Sequence, residues 1–124
     1  HIEIRNNYIC LDIGCGGGAN VKKLLEKSPH GKVTGIDYSE ISVEKSQKIN
    51  KAEISNKRCK ILQGNVMELP FENETFDVIT AFETIYFWPD ISGAFKQVYR
   101  VLKNTGTFMM QRIKWRKFQR RKVD

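Results

Sequence analysis

The sequence has few of the residues that build disulfide scaffolds or metal centres. Its 124 residues include only three cysteines, Cys10, Cys15 and Cys59, and two histidines, His1 and His30. An odd number of cysteines without paired spacing argues against a disulfide framework and against a zinc site, so we expect no metal. Unpaired cysteines are typical of the reducing cytoplasm, which is the simplest compartment to expect.

Long apolar runs are also missing. No segment approaches the roughly 18 consecutive apolar residues that a membrane span requires, and no basic-then-apolar start indicates a secretory signal. A length of 124 residues suits a single domain with one hydrophobic core. The composition therefore predicts an ordinary soluble globular chain, and it does not predict an oligomeric state.

Charge is unevenly distributed along the chain. The net charge is +7, but residues 111–124 alone hold seven Lys and Arg against one acid, leaving 14 basic and 13 acidic residues elsewhere. We therefore divide the sequence into a core, residues 1–110, and a basic tail, residues 111–124. Trp115 and Phe118 interleave with the basic residues, a pattern suited to RNA or to a membrane surface. A solvated, disordered or frameshifted end is the favoured interpretation of the tail.

Short apolar runs alternate with helical stretches in the core. Apolar runs predict strands, and a 3.6-residue apolar period predicts helices. The predicted strands are 8–13, 32–37, 59–64, 76–82 and one beginning at 107, and the clearest helices are 39–52 and 91–102. Such alternation predicts a parallel sheet with helices on both faces, in which ligands bind at the carboxyl ends of the strands.

A glycine cluster follows the first predicted strand, at that binding edge. Gly14, Gly16 and Ala19 satisfy the dinucleotide-binding pattern, so a nicotinamide or flavin oxidoreductase is one hypothesis. Asp12 argues against it, because a carboxylate two residues before the loop would repel a pyrophosphate. S-adenosylmethionine instead brings an ammonium and a sulfonium, which Asp12 can help to hold directly or through water. The alternative is that Asp12 only braces the loop by hydrogen bonds.

Asp37 ends the second predicted strand. It lies 19 residues after Gly18, and an acid at about this spacing is placed to receive ribose hydroxyls. The alternative role for Asp37 is that of an acid at a helix N-terminus.

Four segments together resemble the class I S-adenosylmethionine-dependent methyltransferases. They read LDIGCGGGAN (11–20), GIDYSE (35–40), GNVMELPFENETFDVITAFETIYFWPD (64–90) and VYRVLKNTGTF (98–108), in the family's order over about residues 8–110. The resemblance implies a three-layer Rossmann-like α/β sandwich with a parallel sheet of about five strands in the order 3-2-1-4-5. It also implies the cofactor S-adenosylmethionine and transfer of its methyl group. The chain stops short of the family's C-terminal antiparallel strands.

The resemblance also assigns cofactor-binding residues. The positions of Gly14, Cys15 and Gly16 would line the methionine moiety, and Asp37 would hold the ribose. Tyr38 would flank the adenine or, equally, begin a helix as a core residue. Where the family commonly has an acid facing the adenine amino group, this chain has Asn65, whose carbonyl accepts without charge assistance. The backbone N–H of Val66 is a further adenine contact.

The segment after the fourth predicted strand should edge the sulfonium and the acceptor. It begins at Ala81 and includes Tyr86 and Trp88, whose rings suit either a cationic sulfonium or core packing. Methyl transfer from an activated sulfonium depends mainly on alignment, so a base is optional and the catalytic residues stay unassigned. Glu83 and Tyr86 are weak candidates.

The methyl acceptor is not identified by these patterns, although a small molecule is favoured over a macromolecule. Three alternatives to a methyltransferase remain. They are a catalytically silent cofactor-binding fragment, a nucleotide-dependent oxidoreductase, and an RNA-binding module that uses the tail.

Overall fold

A computed structural model describes residues 4–82, 84, 88–110 and 113–117, the side chain of Ile113 excepted. The strands are β1 (Ile9–Ile13), β2 (Lys32–Asp37), β3 (Cys59–Gln63), β4 (Phe76–Thr80), β5 (Leu102–Met110) and β6 (Ile113–Arg116). The helices are α1 (Ala19–Lys27), α2 (Glu40–Ile49), α3 (Lys51–Ser55) and α4 (Ile91–Val101), with a 3₁₀ turn at Val66–Glu68.

The sheet has the order β3-β2-β1-β4-β5-β6. The first five strands are parallel, which confirms the predicted order 3-2-1-4-5. Parallel strands with helical crossovers are buried on both faces, which explains why their sequences read as continuous apolar runs. The order reverses beside β1, and this places the carboxyl ends of β1, β2 and β4 around a common edge.

Two apolar layers hold the helices to the sheet. Because side chains alternate along a strand, Leu11 and Ile36 face α4 while Cys10 and Val33 face α1 and α2. The α4 layer is centred on Phe76, which is 2% exposed and meets Phe71 edge to face at 5.0 Å between ring centroids. Each fully buried side chain of this size contributes about 1.5–3 kcal/mol.

Helix boundaries follow local chemistry. The Ser39 hydroxyl accepts a hydrogen bond from the Ser42 N–H at 3.3 Å and so caps the start of α2. The predicted helix 39–52 is split at Asn50, whose side-chain amide donates to the Ser46 carbonyl at 3.0 Å. Asn competes for backbone groups in this way and so interrupts helices.

The tail departs from its predicted form. Residues 113–116 form β6, which pairs antiparallel with β5, with Trp115 opposite Phe108. The expectation that the chain lacks an antiparallel strand after β5 is therefore corrected. An unpaired β5 would leave a row of backbone N–H and C=O groups at the sheet edge, and β6 satisfies them.

The backbone of β5 is irregular near the start of the strand. Leu102 pairs with Phe76 and Thr107 with Val78, so residues 103–106 loop out of register. Thr105, within this loop, has φ 67° and donates its N–H to the Lys117 carbonyl at 2.7 Å. Left-handed φ is costly for a β-branched residue.

We expect Thr105→Gly to stabilise the fold. Glycine removes the left-handed strain but makes the unfolded chain more flexible, so the net gain should be about 0.5–1 kcal/mol. Chemical denaturation measures the change. The matched control is Thr107→Gly, in the regular part of the same strand, which should lose about 1 kcal/mol. Equal losses for both variants would contradict the strain at position 105.

Candidate functional site

A cavity of about 640 Å³ opens at the carboxyl ends of β1 and β2. The glycine loop forms one end of it and the segments after β3 and β4 form the other. The lining residues are Ile13, Gly14, Ile36, Asp37, Tyr38, Ser39, Gly64, Asn65, Val66, Phe82, Thr84, Trp88 and Pro89. The cavity therefore lies at the edge that the strand pattern predicts.

The glycine loop depends on conformations that other residues avoid. Gly14, Gly16 and Gly18 have φ of 72°, 53° and 91°. A Cβ at Gly14 would lie 2.3 Å from Thr84 Oγ1, whereas nothing lies within 4 Å of a Cβ at Gly16. Gly14 thus allows close packing against Thr84, and Gly16 leaves an open cradle that a ligand can approach.

Asp37 fastens this loop to the start of α2. Its Oδ2 accepts from the Gly16 N–H at 2.8 Å, and its Oδ1 accepts from the Ser39 N–H at 2.8 Å. A carboxylate offers about four acceptor positions, so both oxygens can still receive ribose hydroxyls. The two roles considered for Asp37, ribose binding and helix-terminal acid, are therefore compatible.

Asp12 lies behind the loop, outside the cavity lining. It is 2% exposed, and its Oδ1 accepts from the Thr80 hydroxyl at 2.7 Å. The Thr80 oxygen accepts in turn from Asn20 Nδ2 at 3.1 Å. Burial raises the pKa of Asp12 from 3.8 to about 6, against the opposing effect of the Thr80 hydrogen bond. These contacts support the bracing role, and a role toward the cofactor stays a prediction.

Two other predicted residues also face the core. The Cys15 thiol lies 3.6 Å from the Ser46 hydroxyl, and burial raises its pKa to about 11. A neutral thiol is a poor nucleophile, and the role of Cys15 as a residue lining the methionine moiety stays a prediction. Ala81 is fully buried and donates its N–H to the Met109 carbonyl at 2.9 Å. Because both side chains are buried, these residues would contact a ligand only with their backbone atoms.

The far end of the cavity carries the residues predicted for adenine. Tyr38 is 83% exposed and lines the cavity, so its alternative role as a core residue is wrong. Asn65 Oδ1 accepts from the Met67 N–H at 2.9 Å and caps the 3₁₀ turn. Because an amide oxygen has two lone pairs, one remains for an adenine amino group. Val66 is buried and forms part of the wall.

Trp88 lines the opposite wall and also packs in the core. Its ring meets Phe95 edge to face at 5.9 Å between centroids. The packing and lining roles are thus combined in one side chain. Glu83, Tyr86 and Phe87 lie outside the described residues, so the weak catalytic candidates Glu83 and Tyr86 stay predictions.

Two buried polar side chains that the sequence did not reveal support the loop, Ser46 in α2 and Asn50 directly after α2. The Ser46 hydroxyl donates to the Gly16 carbonyl at 2.5 Å, and Asn50 Nδ2 donates to the Gly18 carbonyl at 3.2 Å. Both residues are almost completely buried. The available signal was a pair of polar residues four positions apart on the inner face of a predicted amphipathic helix.

A second support holds the loop that follows the adenine end. The Arg100 guanidinium of α4 donates to the carbonyls of Leu69 at 2.8 Å and Phe71 at 2.7 Å. Gln97 Oε1 accepts from the Leu69 N–H at 3.1 Å. These three hydrogen bonds tie the loop after Val66 to α4.

Among the described residues, no cluster of three or more His, Cys, Asp or Glu side chains could hold a metal ion. No helix in the described part of the chain is long and apolar enough to span a membrane.

A profile of the family described as "Methyltransferase domain" matches residues 11–110. The chain belongs to this family of S-adenosylmethionine-dependent methyltransferases. Membership overturns the oxidoreductase alternative, which depended on the glycine pattern alone. The cavity fits the family's cofactor, because it combines the backbone of Gly14, the Asp37 carboxylate and aromatic walls suited to a sulfonium.

Two curated relatives are similar over most of this chain. The demethylmenaquinone methyltransferase of Lactococcus lactis is 41% identical over 97 residues, which are 77% of this chain and 38% of the relative. The sterol 4-C-methyltransferase of Caenorhabditis elegans is 35% identical over 111 residues, 88% of this chain and 32% of the relative. The chain thus spans about a third of the length of these relatives.

A solved structure shows the same fold. A Methanococcus maripaludis protein assigned to the S-adenosylmethionine-dependent methyltransferases superimposes with a TM-score of 0.78 at 31% identity. The match covers 85% of this chain and 48% of that protein.

We expect Asp12 to make stability depend on pH. Its folded pKa of about 6 exceeds its ordinary value of 3.8, so the native state binds more protons than the unfolded state between these values. The free energy of unfolding therefore falls by about 2–3 kcal/mol as pH rises from about 4 to 6, and it levels off above pH 6.

Asp12→Asn tests this dependence, since an amide oxygen still accepts from Thr80 but does not titrate. The difference in unfolding free energy between wild type and variant should change over pH 4–6 and stay constant above pH 6.5. A difference that is flat over the whole range would show that Asp12 titrates normally.

We expect Ser46→Ala to loosen the glycine loop, because the Gly16 carbonyl loses its buried donor. Unfolding free energy should fall by about 1 kcal/mol. Binding of S-adenosylhomocysteine, the demethylated cofactor, should weaken about three- to tenfold by calorimetry. The control is Ser42→Ala on the same helix, since Ser42 contacts the N-cap through its backbone N–H. Unchanged affinity in Ser46→Ala would rule out this support role.

Proposed function

We propose that this chain binds S-adenosylmethionine and transfers its methyl group to a small apolar acceptor. One observation carries the proposal. A single cavity joins Gly14 of the glycine loop and Asp37 at the end of β2 to an apolar wall formed by Phe82, Trp88 and Pro89. A donor held at one end would therefore present its methyl group toward the other.

The cofactor supplies an activated methyl group on a sulfonium, and the chain's residues supply alignment. Asp37 accepts the ribose hydroxyls, Tyr38 flanks the adenine, and Asn65 accepts from the adenine amino group. Holding donor and acceptor in line provides much of the acceleration, so the mechanism needs no proton acceptor of its own. Phe82 and Trp88 exclude water and offer ring faces to the cationic sulfur.

The chemistry of the acceptor is inferred from the wall and from the relatives. Phe82, Trp88 and Pro89 offer few polar groups, so an apolar molecule gains most from binding there. The two relatives are named for sterol and demethylmenaquinone substrates, both small and largely apolar. These observations favour a small molecule over a macromolecule.

Calorimetric titration with S-adenosylhomocysteine tests the cofactor site. We expect saturable binding that Asp37→Ala weakens at least tenfold, or about 1.4 kcal/mol, because the ribose loses its acceptor. Asp37→Asn, which keeps one acceptor oxygen, should weaken binding less, and nicotinamide cofactors should not compete. Unchanged affinity in a folded Asp37→Ala variant would remove Asp37 from the site.

A transfer assay then separates the enzyme from a silent cofactor-binding fragment. S-adenosylmethionine carrying a labelled methyl group is incubated with the chain and either a demethylated quinol or a sterol. Label in the extracted acceptor supports the proposed reaction. Cofactor binding without label in either acceptor favours the silent fragment.

A further inference from the structure

A second groove lies between α4 and the β5–β6 hairpin. Its volume is about 400 Å³, and it shares no lining residue with the cofactor cavity. Aromatic rings dominate its walls, with Phe95 and Tyr99 from α4, Phe108 from β5 and Trp115 from β6. We call it the β6 groove.

Two of these rings are unusually exposed. Trp115 is 44% exposed although Phe108 stacks on it, at 5.8 Å between centroids and 20° between planes. Its exposed area therefore lies on the side turned away from β5. Tyr99 is 57% exposed and forms part of the helical wall of the groove. A large aromatic surface in water is costly unless a partner covers it.

Positive charge surrounds the groove. Two basic residues line it, Arg116, which is exposed, and Lys117. Lys117 lies 4.2 Å above the centre of the Tyr99 ring. No acidic side chain lines the groove in the described part of the chain, and residues 111–124 contain seven basic residues against one acid. The groove is therefore complementary to a polyanion.

The occupant must offer planar rings as well as negative charge. A second copy of this chain would bring the same cations together, and an acidic peptide offers a ring only at its aromatic residues, which carry no negative charge. A single-stranded nucleic acid has both, since each nucleotide joins a phosphate to a base with a flat face. We infer that the β6 groove binds single-stranded nucleic acid, with bases on Trp115 and Tyr99 and phosphates at Arg116 and Lys117.

Fluorescence of the full chain tests this inference directly. The sequence has two tryptophans, so Trp88→Phe leaves Trp115 as the only one. Titration with the oligonucleotides U12 and dT12 should quench the Trp115 emission in a saturable way, because bases stack on the indole. Absence of quenching at concentrations where labelled U12 binds would overturn the proposed contact.

Fluorescence anisotropy with fluorescein-labelled U12 measures how much the stacking and the positive charges each contribute to binding. Trp115→Ala should weaken binding about tenfold, and Trp115→Phe, which preserves the hairpin packing, less than threefold. Arg116→Gln with Lys117→Gln should reduce the salt dependence, the slope of log affinity against log salt, by about 1.4. The matched control is Lys22→Gln with Lys23→Gln, an equal charge change on the exposed face of α1.

Three results would contradict the inference. The first is a control pair that reduces the salt-dependence slope as much as the groove pair does, which would indicate unspecific attraction to a basic chain. A twelve-residue polyglutamate that competes as well as U12 would indicate a protein partner. Anionic phospholipid vesicles that bind more tightly than U12, with no effect of Trp115→Ala, would indicate a membrane surface.

Discussion

Gly16 is held through both of its backbone polar groups, and the site depends on this clamp. The N–H points to the Asp37 carboxylate at the end of β2, and the carbonyl receives the Ser46 hydroxyl from α2. Three elements that are distant in sequence thus meet at one residue that has no side chain. A loop with several left-handed residues would otherwise sample many shapes, and the clamp selects one in which Gly14 lines the cavity.

The cavity has two walls with independent supports. The glycine loop is fastened to α2, whereas the loop beyond Val66 is fastened to α4 through Arg100 and Gln97. The sheet fixes the distance between the two helices, since each packs on a different face. A ligand that touches both walls therefore meets a site whose geometry is set before binding, which reduces the entropy lost on association.

The sequence predicted the binding edge and the position of Asp37, because these follow from apolar periodicity and spacing along one chain. The strand order came from the resemblance to the methyltransferase family. It did not reveal Ser46 or Asn50, whose importance comes from the packing of α2 against a loop 30 residues earlier. The fate of the tail was also hidden, since a charged segment becomes a strand only when an open β5 edge lies beside it. Asp12 looked like a ligand residue, and only its burial against Thr80 showed how far it lies behind the loop.

β6 leaves its own outer edge unpaired within the described part of the sheet, and such an edge is a template for sheet growth between molecules. The strand is only four residues long and carries Lys114 and Arg116 as two of them. Two copies that met edge to edge would have to bring these like charges together without water. The edge of this domain therefore resists aggregation through its charge, and the protein should stay dispersed best at low ionic strength, where that repulsion is least screened.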